Sequence, residues 1–370
     1  MHKVGIVGWR GMVGSVLMER MLSENDFSKV KTYLFSTSLK GENAPKYDNC
    51  HEYILDSDSI EHLRTMDIIL TCQGGDYTKD IHPKLRQSGW EGIWIDAASA
   101  LRMNEDAVIV LDPINGKHIE KSLDAGIKDF IGGNCTVSLM LMGLGKLFEE
   151  DLVEWMTSMT YQAASGAGAK NMIELLEQMK FFGDAYLSQR QSNSAANALE
   201  FEKNMTENFS HPKFPKECFG HPLALSLLPW IDIKMPNEQS KEEWKAQVEA
   251  NKILQNKEIV PIDGTCVRVA SLRCHSQAFT LKLKKSVSIE RVESLINESN
   301  SWTEVIANDK EETLQKLTPA YVTGTMKIPV GRIRKMTLGD QYLNAFSVGD
   351  QLLWGAAEPL RRVLLMALKQ

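Results

Sequence analysis

The sequence predicts an α/β protein built on a doubly wound parallel sheet, followed by a region with a different strand pattern. Three observations carry this. Short apolar runs alternate with helical stretches as far as Cys135, as buried parallel strands and their crossover helices require. The first run ends in a glycine turn that opens a helix. Beyond Leu152 the strands lengthen and that alternation stops.

The opening run is Val4-Gly5-Ile6-Val7. Gly8-Trp9-Arg10-Gly11-Met12-Val13-Gly14 follows, and then a helix over 15–22. The spacing is GxxGxxG rather than GxGxxG. Strand, glycine turn and helix in succession are nevertheless the setting of a dinucleotide fingerprint, with a purely structural turn as the other reading. The second strand, 31–35, ends at Ser36, Thr37 and Ser38, where an NAD site usually has an acid for the ribose 2′-hydroxyl. Hydroxyls there, with Arg10 in the turn and Lys40 just beyond, suit a 2′-phosphate, so NADP is expected over NAD.

Further strands are expected over 67–72, 92–96, 108–113 and 129–132, with a helix over 83–89 stopped by Gly89. Loops at strand C-terminal ends line the ligand crevice of such a sheet, which puts Gln73-Gly74-Gly75 beside the cofactor. The last strand runs into Gly132-Gly133-Asn134-Cys135-Thr136-Val137-Ser138. This reads as a glycine turn, one cysteine and the start of an apolar helix, with Thr136 and Ser138 as candidate caps. A helix N-terminus lowers a thiol pKa, which makes Cys135 a candidate nucleophile. A buried structural cysteine is the alternative.

In the second region a strand over 153–162 leads to the small-residue loop 163–169 and an amphipathic helix over 171–181. Residues 188–219 are polar and take no assignment. Ser240 caps a helix over 240–251, with Glu243 completing a capping box. Glu242 and Lys245 share a face of it, which by itself describes an ordinary surface ion pair. Paired strands are expected over 265–276 and 278–283. Arg268 and His275 are an odd number of positions apart, so a regular strand would point them to opposite faces. They share a site only if a bulge or turn intervenes. A helix over 310–317 and a terminal helix over 360–365, apolar on one side, complete the chain.

Net charge is −6 with no long basic stretch, which argues against nucleic acid or an anionic membrane as partner. The six cysteines are scattered without a CxxC pair, so neither a zinc site nor a disulfide framework is expected. Met1-His2-Lys3 leads at once into a strand pattern, and a reduced, cytoplasmic protein is the expectation. A nicotinamide site with a poised thiol suggests one chemistry: a thiolate attacks an activated acyl carbon, and the resulting thioester is reduced by hydride to an aldehyde. Histidine would serve as acid–base and arginines as anion clamps.

The residues then match a known family. Gly5–Ser15, Thr71-Cys72-Gln73-Gly74-Gly75-Asp76-Tyr77, Trp94-Ile95-Asp96-Ala97-Ala98-Ser99, Gly132-Gly133-Asn134-Cys135-Thr136, Tyr161-Gln162-Ala163-Ala164-Ser165-Gly166 and Gly349-Asp350-Gln351-Leu352-Leu353-Trp354-Gly355-Ala356-Ala357-Glu358-Pro359 together resemble bacterial aspartate-semialdehyde dehydrogenase, of the Gram-negative type, over nearly the whole chain. The resemblance implies NADPH-dependent reduction of L-aspartyl 4-phosphate to L-aspartate 4-semialdehyde and phosphate, on the way to lysine, methionine, threonine and diaminopimelate. It implies Cys135 as nucleophile, His275 as acid–base catalyst and Gln162 as the group orienting substrate or thioester. Glu242 and Arg268 would hold the α-amino and α-carboxylate groups. Arg102 and Lys245, with Asn134, would hold phosphate. Arg10, Gly11, Met12, Val13, Thr37, Ser38, Gln73, Ser165, Gly166, Ala167, Gly168, Ala169 and Gln351 would line the NADP site; the loop 165–169 departs from the glycine run expected there. The implied organisation is a Rossmann-like NADP-binding domain, 1–135, completed by 357–370, and an α+β catalytic and dimerisation domain, 136–356, in a homodimer. The nearest rival, N-acetyl-glutamyl-phosphate reductase, acts on a substrate without the ammonium that Glu242 would bind. A glyceraldehyde-3-phosphate-type enzyme fits the hydroxyls after the second strand less well. A thiol hydrolase leaves the glycine turn unexplained, and an inactive NADP sensor leaves Cys135 and His275 without purpose.

Overall fold

The computed structural model describes residues 1–369; residue 370, the last of the expected segment 357–370, lies outside the described residues. In the first part β1 (Lys3–Val7), α1 (Met12–Ser23), β2 (Lys31–Ser36), β3 (Leu55–Asp56), α2 (Ile60–Leu63), β4 (Ile68–Thr71), α3 (Gly75–Gln87), β5 (Ile93–Asp96), β6 (Ala107–Val110), α4 (Asp112–Asp124) and β7 (Asp129–Gly132) follow one another. The seven strands form one sheet in the order β3-β2-β1-β4-β5-β7-β6, with every pairing parallel. Strand order reverses between β1 and β4, which opens a crevice at their C-terminal ends, as in a Rossmann-like fold. The strands read as continuous apolar runs because both sheet faces are covered.

The turn after β1 explains its glycines. Gly8 has φ +73°, and a Cβ there would stand 2.6 Å from the Cys72 carbonyl carbon. A Cβ on Gly14 would stand 2.2 Å from the Gly8 oxygen. Any larger residue at either position forces the turn and helix α1 apart.

The second part comprises α5 (Cys135–Glu149), β8 (Val153–Gln162), α6 (Ala169–Ser192), α7 (Ala198–Asn208), β9 (Leu227–Leu228), α8 (Lys241–Leu254), β10 (Ile262–Asp263), β11 (Cys266–Val269), β12 (Cys274–Leu283), α9 (Ile289–Ser299), β13 (Thr303–Val305), α10 (Lys310–Lys316), α11 (Pro319–Val322), β14 (Ile328–Met336), β15 (Gly339–Asp350) and α12 (Glu358–Ala367). Its mixed eight-stranded sheet runs β13-β14-β15-β12-β8-β11-β9, with β10 paired to β8. Helix α5 is buried nearly throughout and centres the core of this part. Helix α12 returns to the first sheet, where Leu360, Val363 and Leu364 pack with Ile6, Leu70 and Phe130.

Several elements differ from expectation. The strands expected over 265–276 and 278–283 are instead the short β11 and one long β12, with the turn 270–273 between them. Helix α3 begins at Gly75 and runs through Pro83 instead of starting there, with Ile81 and Leu85 holding its apolar face in the core. Helix α6 extends to Ser192, well past 181. The polar stretch contains α7, whose start is fixed by a capping box between Asn197 and Glu200. Among the described residues no helix is long and apolar enough to cross a membrane.

Candidate active site

The glycine turn after β7 delivers Cys135 as the first residue of α5. The cap is Asn134, not Thr136 or Ser138: its Oδ1 accepts from the amides of Thr136 at 3.0 Å and Val137 at 3.3 Å. Thr136 instead donates its hydroxyl to the same oxygen at 2.6 Å. Asn134 has the extended backbone of an N-cap and the short acceptor that reaches the first free amides.

Strands β11 and β12 flank β8 on opposite sides. Arg268 is in register with Gln162, and Ser276 pairs Tyr161, which sets His275 level with Gln162 as well. Side chains level on adjacent strands share a face. Gln162, Arg268 and His275 therefore converge, because the turn between β11 and β12 resets the odd spacing. His275 Nε2 lies 3.2 Å from Cys135 Sγ, and its Nδ1 accepts from the Ala163 amide at 3.0 Å. Gly166 closes over the pair: a Cβ there would stand 2.7 Å from Arg268 Nη1 and 3.2 Å from His275 Cε1. Gly355, in the π-helical turn Leu353–Ala357, backs the nucleophile, since a Cβ there would be 2.9 Å from the Cys135 Cβ.

Helix α8 supplies the charged wall. Its capping box forms as expected from Ser240 and Glu243. Glu242 and Lys245 are buried rather than on the surface, 3.0 Å apart. Glu242 also accepts from Asn134 Nδ2 at 2.9 Å and Gln162 Nε2 at 3.3 Å. Burial opposes its charge, but Lys245 and these donors outweigh that and hold the carboxyl below its usual range. Lys245 makes a second ion pair with Asp232 at 3.0 Å. Arg102 donates to Gly132 O at 2.6 Å, Gly133 O at 3.0 Å and Glu249 Oε1 at 3.1 Å. Arg268 differs. Its guanidinium is buried, donates at 2.7 Å to Ala163 O, and among the described residues has no carboxylate partner. Burial lowers its pKa, so this charge sits in the cavity wall without a paired anion to offset its desolvation.

These residues line one cavity of about 460 Å³ that includes Arg102, Asn134, Cys135, Gln162, Gly166, Ala167, Asp232, Glu242, Lys245, Arg268 and Gln351. Ser165 lies behind it and accepts from Gln351 Nε2 at 2.8 Å. Gly168 and Ala169 begin α6 and do not line the cavity.

The thiol departs from expectation. Burial first, and the Glu242 carboxylate second, push Cys135 up to about 12, against Arg268, Arg102 and Lys245. Burial and Arg268 bring His275 down to about 3. The amides expected to favour a thiolate at the helix start are bonded to Asn134 instead.

A separate groove is lined by Gly8, Trp9, Arg10, Gly11, Ser36, Thr37, Ser38 and Gln73. Met12 and Val13 start α1 and pack against the first core. Arg10 is exposed and makes no ion pair among the described residues, whereas Lys40 is committed to Asp56 at 2.9 Å. The buried indole N–H of Trp9 has no partner among the described residues. Backbone held open by glycine, the exposed hydroxyls of Thr37 and Ser38, an arginine without an ion pair and an indole donor fit a dinucleotide.

Glu249 and Asp232 were not singled out from the sequence. Glu249 lies on the stripe 242, 245, 249 of α8, so helical periodicity was the signal available for it. Its second oxygen accepts from the Asn134 amide at 2.7 Å.

Comparison with known proteins places the fold in a family. Residues 3–122 match the family model of the semialdehyde dehydrogenase NAD binding domain, and 144–354 that of the semialdehyde dehydrogenase dimerisation domain. The aspartate semialdehyde dehydrogenase of Francisella tularensis is 50% identical over 99% of both chains, with a TM-score of 0.95. The chain belongs to the aspartate-semialdehyde dehydrogenase family. Two more distant structures share the fold. One is aspartate semialdehyde dehydrogenase II of Vibrio cholerae complexed with ASA, at 21% identity, TM-score 0.80, and coverage of 100% of this chain and 99% of that one. The other is the Candida albicans aspartate semialdehyde dehydrogenase with NADP, at 16% identity, TM-score 0.65, and coverage of 100% and 98%. Within this dehydrogenase family the cavity at the start of α5 is the candidate active site.

Proposed function

We propose that the chain reduces L-aspartyl 4-phosphate to L-aspartate 4-semialdehyde and phosphate with NADPH, through a thioester on Cys135, and so serves lysine, methionine, threonine and diaminopimelate synthesis. The observation that carries this reading is the Cys135–His275 pair at 3.2 Å in a cavity where Arg268 lacks a carboxylate partner among the described residues. Family membership and the relative solved with NADP support it.

The substrate carries an ammonium, an α-carboxylate and an acyl phosphate. Glu242 complements the first and Arg268 the second. Lys245, Asn134 and the Nη1 hydrogen of Arg102 left over by Glu249 suit the third. The Cys135 thiol, which lines the cavity, gives its proton to solvent there; the thiolate attacks the acyl carbon, the carbon–oxygen bond to phosphate breaks, and phosphate leaves toward these donors. His275 works at Nε2. Its Nδ1 accepts from Ala163, so the ring proton faces sulfur, where it supports the thiolate and exchanges with the substrate oxygen. Gln162 orients the acyl group from the same face. NADPH, when bound, supplies the hydride that reduces the thioester; collapse of the product alkoxide releases the semialdehyde and returns the thiolate.

NADP is preferred to NAD on the strength of Arg10, Thr37 and Ser38. Exposed Met159, Tyr161, Ile173, Leu176 and Met179, in a part that matches a dimerisation domain, suit a homodimer face. The test is NADP reduction by aspartate semialdehyde, with and without phosphate. Phosphate-dependent NADPH formation supports the reading; its absence with fresh semialdehyde removes it.

A further inference from the structure

The cavity is lined by three cations, Arg102, Lys245 and Arg268, and two carboxylates, Glu242 and Asp232, with a third carboxylate, Glu249, buried behind Arg102. Their charges cancel. Arg268 is free for the carboxylate of the ligand and Glu242 faces its ammonium, but the cations left for the phosphate, Arg102 and Lys245, are both held by internal carboxylates, so phosphate capture is in competition with one of them.

The three carboxylates are not equally free to do so. Glu249 is buried on α8 and is tied by both oxygens, to Arg102 at 3.1 Å and to the Asn134 amide at 2.7 Å. Glu242 is buried on the same helix and accepts from Asn134, Gln162 and Lys245. Asp232 sits in the loop between β9 and α8, and about a third of its side chain, 32%, is exposed. Its other side-chain bond is local, from the Ile233 amide at 2.8 Å. Lys245 is thus the single distant group that Asp232 holds among the described residues.

We propose that Asp232 is a positioning residue that occupies Lys245 as an internal anion and yields it to the phosphate of the substrate, thereby setting anion affinity. This rests on the function proposed above. Burial works against both charges of the pair, yet the ion pair and its hydrogen bonds hold the Asp232 carboxyl below and the Lys245 ammonium above their usual ranges. Phosphate therefore meets a charged lysine already in place. Return of Asp232 to Lys245 competes with phosphate and speeds its departure.

The test is the KM for inorganic phosphate in semialdehyde oxidation. Asp232→Asn keeps an oxygen for the Ile233 amide and tolerates the φ of +73° at this position. Asp232→Gly accepts the same backbone and removes the side chain altogether. Both variants are expected to lower the phosphate KM about 3- to 10-fold, with the KM for NADP unmoved, because a competing, partly solvent-screened carboxylate is gone. A merely structural role would raise KM or leave it alone. An unchanged or higher phosphate KM in both variants overturns the proposal while leaving the function standing. A wild-type enzyme with no phosphate dependence overturns both.

Discussion

The sulfur of Cys135 and Nε2 of His275 lie 3.2 Å apart although 140 residues separate them. One begins α5 and the other is the second residue of β12, so the pair exists only once the mixed sheet has formed beneath the helix. Both groups are held neutral by burial, the thiol pushed up to about 12 and the imidazole down to about 3. The thiolate fraction should therefore climb with pH well beyond neutrality. Iodoacetamide inactivation of the enzyme alone is expected to speed up about tenfold per pH unit between roughly 7 and 10. A rate that levels off below about pH 8 would show a thiol of ordinary or lowered pKa.

Arg268 meets no carboxylate of its own among the described residues, and its planar fork is free to grip one. Lysine keeps the charge and loses the fork. Arg268→Lys should lower kcat/KM for the semialdehyde about 10- to 100-fold, the cost of a lost bidentate pair. An unchanged KM in steady-state assays would remove the carboxylate clamp.

Gly166 has no room for a methyl group, with Arg268 Nη1 at 2.7 Å and His275 at 3.2 Å from where it would sit. The residue is exposed and its φ lies outside the left-handed region, so the fold should survive the change. Gly166→Ala is expected to shift the melting temperature little and to cut kcat at least about tenfold by displacing the two side chains. Full activity would mean that neither is tightly placed.

Arg10 is the cation left unpaired beside Thr37 and Ser38, since Lys40 is held by Asp56. Arg10→Ala should raise the KM for NADP about tenfold and leave that for NAD nearly alone, whereas Lys40→Ala should do much less. Equal effects on both cofactors would place the 2′-phosphate elsewhere.

Much of this could be read before any coordinates. The turn glycines Gly8 and Gly14 were legible because backbone contacts demand them, and the Ser240–Glu243 box because it is a local pattern. Arg268 and His275 come from the family resemblance, and their meeting was legible only as a condition, an intervening bulge or turn, because 265–276 reads as one strand. They stand on two strands either side of β8, level with Gln162. The Asn134 cap was passed over for the hydroxyls after it. Glu249 looks like any acid on a helix until Arg102 and Asn134 are brought to it from far along the chain. Direction of the thiol shift was missed for a related reason: helix position is local, while burial and the charge of Glu242 come from tertiary packing.

The most direct measurement is rapid-quench mass spectrometry of the protein mixed with aspartate semialdehyde and NADP without phosphate. We expect a burst of about one NADPH per site and an aspartyl adduct that maps to Cys135, discharged when phosphate is added. NADPH formation with Cys135 unmodified throughout, or undiminished turnover by Cys135→Ser, would contradict covalent catalysis by this sulfur.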